Sequence, residues 1–312
     1  MGFSCKAFHL LLLFLVAFCE CDKMFALNSV PISSELAFFP VIETLNPSSG
    51  SLDVIANVSS VGGVTGGHIW RTLSSSPSSF ALLSLAQNAS TTNFFSVISA
   101  SGSVMSSFAS SLPLLSMEVK NNDVFVICVQ NPGVLPCVGT VRSPLFAQLS
   151  VQHVFEEEKG AVPAEGCSSL VNSSILTFVV ARNDGSQTAL LFDTETRNAV
   201  GKVALPSGLG TVVAMEASDA FVYFLTSTNS SGQVWRSDLS FSNFVLLVSL
   251  DSNFPSTLGA SLLDQQNSIF YTVIGDSDGI VWKLAAVELS GEKSVSYVDL
   301  NGNMIVSLLP SP

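Results

Sequence analysis

The chain has 312 residues, 47% of them hydrophobic and only 12% charged, with a net charge of −12. An acid excess without a basic cluster weighs against nucleic acid and anionic membrane as partners, since both need neutralising Lys and Arg. A charged share about half that of an ordinary soluble domain calls for an architecture whose strands are apolar on both sides.

In chain order, Met1 to Asp22 places Lys6 ahead of an unbroken apolar run from Leu10 to Cys19, followed by Glu20 and Asp22. The run is too short to span a bilayer and has the layout of a secretory signal, so residues 1–21 are expected to be a cleaved leader and the protein to be secreted. No later stretch approaches the roughly 18 apolar residues that a membrane helix needs. Residues 22–34 read as an unstructured N-terminal lead-in, and 35–312 as one domain. Leu36 to Ile42 is apolar but interrupted by Pro40, which suits an edge strand. A first hairpin is expected from Leu52 to Ser59, a Gly-rich turn at Val61 to Gly67, and His68 to Leu73. A second joins Asn93 to Ala100 with Ser103 to Phe108, and a third joins Asp123 to Gln130 with Val138 to Arg142. His153 to Cys167, carrying Glu156-Glu157-Glu158, reads as a long solvated connection.

The clearest unit is Ser268 to Lys283, two β-branched and aromatic runs around Asp-Ser-Asp-Gly, the composition of a tight antiparallel turn. The same order recurs over Ala220 to Arg236 and Ser174 to Leu190, with turn glycines Gly185, Gly232 and Gly279 each 47 residues apart. Upstream, Gly67, Gly102 and Gly139 continue the series at shorter spacings. A fixed period filled with strands and no helix marks a β-propeller. The length gives an all-β fold of six blades, each of four antiparallel strands. No hairpin follows Asn303 to Leu309, so that strand is expected to return to the first blade and close the ring.

Phe221-Val-Tyr-Phe-Leu-Thr226 leading to Gly232-Gln-Val-Trp-Arg236, and Phe270-Tyr-Thr272 leading to Gly279-Ile-Val-Trp-Lys283, resemble the tyrosine-tryptophan-threonine-aspartate repeats of low-density-lipoprotein-receptor propellers. The resemblance implies a six-bladed, extracellular, ligand-binding ring. It carries over no functional residue, because the Trp-Thr-Asp element of that family is replaced here by Phe-Leu-Thr or Thr-Val.

Chemistry is sparse. His68 and His153 have no partner at ligand spacing, and there is no nucleophile elbow, phosphate loop or His-Glu-x-x-His motif. Three acids near inner-strand ends, Glu118, Glu216 and Asp264, are the candidates for a channel that holds an ion. Gly275-Asp-Ser-Asp-Gly279 resembles a truncated calcium loop but reads better as a hairpin turn. Tyr223, Tyr271, Trp70, Trp235 and Trp282 recur in register with the strands and read as core. Cofactor, metal and catalytic residues are therefore expected to be none.

Four sequons, at Asn57, Asn88, Asn172 and Asn229, fit a glycoprotein of the secretory pathway. Cys128 ends one strand and Cys137 begins its partner, so a disulfide between them is expected, leaving Cys167 over. A non-enzymatic role is favoured: a secreted propeller holding an extracellular protein or glycan through the loops of one face, with Glu157, Asp184 and Asp276 on the binding rim. The alternatives are a metal-dependent hydrolase or lyase using the channel carboxylates, and a structural extracellular component.

Overall fold

The computed structural model describes residues 24–31, 38–58, 69–72, 79–85, 93–99, 101–121, 123–131, 133–142, 146–228, 231–253, 256–278, 280–291 and 293–310. These form six four-stranded antiparallel sheets. The first blade joins β1 (Met24–Pro31), β2 (Phe38–Leu45) and β3 (Leu52–Asn57) to the last strand, β24 (Ile305–Pro310). The second holds β4 (Ile69–Thr72), β5 (Ser79–Leu85), β6 (Asn93–Ser99) and β7 (Val104–Ser110). The third holds β8 (Leu114–Lys120), β9 (Asp123–Gln130), β10 (Leu135–Arg142) and β11 (Ser150–Val154). In the fourth run β12 (Val162–Val171), β13 (Ile175–Ala181), β14 (Gln187–Asp193) and β15 (Asn198–Ala204). The fifth has β16 (Thr211–Ala217), β17 (Phe221–Ser227), β18 (Gly232–Asp238) and β19 (Val245–Ser249). The sixth has β20 (Ser256–Asp264), β21 (Ile269–Gly275), β22 (Trp282–Glu288) and β23 (Val295–Asp299).

The innermost strands β24, β4, β8, β12, β16 and β20 neighbour one another in turn, and β20 returns to β24. The ring is therefore closed by pairing across the two ends of the chain, Met24 opposite Pro310 and Phe25 opposite Leu309. Closure removes the inner sheet edges, as the unpartnered last strand led us to expect.

Second strands are apolar on both sides because each lies between two neighbouring blades. Along β13, β17 and β21 nearly every residue is buried, and Phe80, Phe125, Phe178, Phe224 and Phe270 are fully so. Each such burial contributes about 1.5–3 kcal/mol. Five apolar clusters fill the seams, for instance Phe125, Ile127, Phe178 and Phe192 between the third and fourth blades. Tyr223, Tyr271 and Trp282 belong to these clusters, whereas the side chain of Trp70 lies outside the described residues. Gly275 is there for packing: a Cβ added to it would come within 2.3 Å of the Trp282 ring opposite.

Several expectations shift by one strand. Leu52–Asn57 and Ile69–Thr72 are not a hairpin: the first is the outer strand of one blade and the second the inner strand of the next. The intervening link shares the Gly and Val of a hairpin turn, so composition alone could not separate them. Gly102 lies in a turn between third and fourth strands, and Gly139 lies inside β10. The uneven glycine spacing upstream reflects this slip, for the second strands begin at Met24, Ser79, Asp123, Ile175, Phe221 and Ile269. Met24–Pro31, expected within an unstructured lead-in, is an interior strand because it holds the closing strand. Pro40 lies in β2, which is also interior; β3 pairs only with Val41 to Leu45, so the ladder on that side has already ended at Pro40. The long connection at His153 to Cys167 shrinks to residues 155–161 between β11 and β12. The leader at 1–21 lies outside the described residues.

Candidate binding face

Because successive strands are antiparallel, turns joining second to third strands emerge on the same face as links from a fourth strand to the next blade. Among the described residues this link face carries the turn at 182–186, residues 276–278 and 280–281 of the next such turn, and the links at 155–161, 250–253 and 300–304. The sequence-chosen acids Glu157, Asp184 and Asp276 all fall on it, on two adjoining blades and one farther round the ring. Turns joining first to second and third to fourth strands occupy the opposite face.

Each acid is held by a local device. Asp184 Oδ1 accepts from Ser186 N and Oγ at 2.9 and 2.6 Å, and these bonds, the hydroxyl's first, keep its carboxyl below the usual range. Asp276 Oδ1 accepts from Ile280 N and Val281 N at 2.8 and 3.2 Å, which closes the hairpin and accounts for the Asp at its first position. Glu157 is exposed in a 3-10 turn, Glu156–Glu158. Asp278 is exposed, as is Ile280, at 69%.

Glu158 was missed. It belongs to the supposedly solvated acid run, yet it is only 1% exposed, and it accepts from Arg182 at 2.5 Å and Lys202 at 2.7 Å. Burial pushes its carboxyl up, but the bonds from Lys202 and Arg182 and their positive charges outweigh that and hold it low. The ion network locks the link before the fourth blade to that blade's own turn and outer strand. Its partners lie 24 and 44 residues away, so no local pattern announces it.

The inner ring offers acids of a different kind. Ser168 Oγ donates to Glu118 Oε1 at 3.0 Å and shares a 2.6 Å hydrogen bond with Ser116, tying the third blade to the fourth. Ser261 Oγ donates to Glu216 Oε1 at 2.8 Å, tying the fifth to the sixth. Asp264 caps its own turn through Asn267. The three expected channel acids are thus engaged in fastening blades or a turn. Glu165, not singled out from sequence, lies in an irregular stretch of β12; it is exposed, and desolvation pushes its carboxyl up. Among the described residues, no group of three or more His, Cys, Asp or Glu side chains is placed to hold a metal ion. His153 packs edge-on against Phe155 at 4.6 Å.

Cys128 and Cys137 sit directly opposite each other and are joined by a disulfide, with their Cα atoms 4.9 Å apart. Cys167 is free and buried, and burial pushes its thiol far up. Asn57 is exposed where β3 leads into the link face, and Asn172 is exposed on the opposite face. Asn88 and Asn229 lie outside the described residues, as do His68 and Gly279. The opposite face also bears a cleft of about 290 Å³ lined by Lys120, Asp123, Phe125 and Glu195. Its charges are already matched, Lys120 with Glu195 at 3.1 Å and Arg197 with Asp123 at 3.1 Å.

No protein-family model matches the chain, and no curated protein matches it significantly. Solved structures do. TolB from Acinetobacter baumannii superposes with a TM-score of 0.63 at 10% identity, over 93% of this chain and 67% of that one. A putative 6-phosphogluconolactonase from Bacteroides fragilis gives 0.52 at 8% identity, over 93% and 98%. A chain of a nidogen/laminin complex gives 0.48 at 9% identity, over 74% and 77%. At these identities the likeness is one of fold: a six-bladed β-propeller.

Proposed function

We propose that this protein is a secreted, non-enzymatic propeller that captures an extracellular protein or glycan on its link face. The observation that carries the reading is the charge of that face. Glu156, Glu157, Asp184 and Asp278 are exposed there and Asp251 and Asp276 half-exposed, whereas among the described loop residues Lys159 and Arg182 are the cations, and Arg182, with Lys202 of the adjoining outer strand, is committed to Glu158. Rigid strands hold these loops, and the exposed Ile280 supplies an apolar anchor amid the acids. A cationic or polyhydroxylated surface complements such a rim. The disulfide supports an oxidising compartment, in keeping with the leader expected at 1–21.

The test is binding of the secreted protein to an array of purified matrix proteins and glycans, beside a variant carrying Glu157→Gln, Asp184→Ser and Asp276→Asn together. These replacements keep an acceptor oxygen in each turn and remove the charge. Capture should weaken and become less sensitive to salt, with the melting temperature nearly unchanged. Undiminished capture would overturn the assignment of the face.

A further inference from the structure

The cleft of about 290 Å³ on the opposite face lies between the third and fourth blades. Lys120 and Asn121, at the end of β8, line one side; Thr194 and Glu195, after β14, line the other. Phe125, only 2% exposed, supplies apolar lining. Lys120 spans the two sides: its side chain is 19% exposed, and Nζ donates to Thr194 Oγ1 at 3.0 Å and to Glu195 Oε1 at 3.1 Å. An ammonium has three N–H groups, so one remains for a ligand. Asp123 is held by Arg197 at 3.1 Å, with Arg142 Nε 3.6 Å away. Asn121 is exposed, and its side chain makes no hydrogen bond among the described residues. Every charge in the lining thus has its counter-ion, while donors and acceptors are left over. An anion entering here meets the carboxylates of Asp123 and Glu195, and a cation meets Lys120. A neutral, polyhydroxylated ligand meets neither penalty. A second observation concerns the turn that carries the Asn172 acceptor, which is fastened to this cleft. Ser174 O accepts from Thr194 N at 2.9 Å and from Thr194 Oγ1 at 2.7 Å. Asn172 is exposed two residues before that joint.

We propose that this cleft is a saccharide subsite that takes one neutral N-acetylhexosamine ring. The remaining N–H of Lys120 and the amide of Asn121 donate to the hydroxyl and acetamide oxygens of the sugar, and Glu195 accepts from a hydroxyl. Phe125 lies against its C–H groups. The volume is at the lower end for ligand clefts, which suits a single ring. One ring with a few exchanged hydrogen bonds binds with a Kd of about 1 mM. The same chemistry has two sources: the first sugar of a glycan on Asn172 of this chain, or a glycan on another molecule. The subsite lies on the face opposite the acidic rim and acts independently of it.

Two forms of the chain separate the sources: Asn172→Gln, and the parent from a glycosylating line trimmed to one N-acetylglucosamine per site, with occupancy of Asn172 confirmed by mass. Saturation-transfer NMR with N-acetylglucosamine at about 10 mM reads binding of the free sugar. Asn172→Gln should show transfer, and adding Lys120→Met or Asn121→Gly should cut it at least about threefold. Glycine suits the left-handed backbone at 121 (φ 55°), so the second variant keeps the fold. Glucosamine and glucuronate, which carry a charge on the same kind of ring, should bind more weakly. Slower hydrogen exchange around Lys120 and Glu195 in the trimmed parent than in Asn172→Gln, with no transfer from added sugar, assigns the cleft to the chain's own glycan. Equal exchange with full transfer assigns it to a glycan of another molecule. No transfer to Asn172→Gln together with equal exchange in the two forms overturns the proposal. So does transfer indifferent to both cleft variants, or tighter binding of glucuronate.

Discussion

Glu158→Gln is the most informative stability test of the fold around the acidic rim. The carboxylate is buried, but the cations it holds are half in water, with 41% of the Arg182 side chain and 50% of the Lys202 side chain exposed. Breaking a fully buried pair costs about 3–5 kcal/mol, chiefly through the stranded charge. Here the stranded charges are cations that water can reach, so the penalty falls to about 1–2 kcal/mol. That corresponds to a drop of roughly 2–3 °C in Tm for a domain of this size. The sign with pH follows from the direction of the shift. The folded carboxyl titrates below its unfolded value of about 4.3, so its contribution is full above that pH and fades as pH falls through the depressed folded value. Thermal melts of parent and variant between about pH 7 and about pH 2.5 should show a gap that closes in acid. An equal gap at both ends, or none at pH 7, would refute the ion-network reading.

Other residues give independent checks. Glu43 is buried with its Oε2 unbonded among the described residues, and burial pushes its carboxyl up despite a hydrogen bond from Asn28. A raised folded value means that stability is lost as pH climbs through it, so Glu43→Gln should raise Tm at pH 7 and leave it unchanged in acid; a lower Tm at pH 7 would count against this. Replacing Cys128 and Cys137 together by Ser should cost about 2–3 kcal/mol in urea unfolding, and an unchanged midpoint would remove the disulfide from the account of stability. Gly275→Ala should cost about 1–3 kcal/mol, because Trp282 must shift to admit a Cβ; a neutral variant would show that the ring can yield.

The last three blades were legible because their second and third strands meet in short turns, so Gly185, Gly232 and Gly279 mark the period directly. Upstream, the links between blades have the Ser and Gly content of hairpin turns, and a strand of one blade was paired with a strand of the next. The closing strand could be read because Asn303 to Leu309 is a strand-forming run with no hairpin partner in sequence, and it pairs with Met24 to Asn28. Glu157, Asp184 and Asp276 could be placed on one face from strand alternation alone, whereas Glu158 could not be told from its exposed neighbours, since its burial depends on Arg182 and Lys202.

The central claim, that the link face captures the partner, is tested most directly by placing a glycan on it. Asp184→Asn completes an Asn-Gly-Ser acceptor with Gly185 and Ser186 on an exposed turn of that face, and the turn keeps an acceptor oxygen. The native acceptor at Asn172 stands on the opposite face of the same blade, so Asn172→Gln reports the effect of a glycan there. With the protein secreted from a glycosylating cell line and occupancy confirmed by mass, capture of an array-identified partner should be lost on glycosylation at 184 and recovered after enzymatic deglycosylation. It should be indifferent to the presence or absence of the glycan at 172. Capture that survives an occupied 184 but changes with 172 would contradict the account.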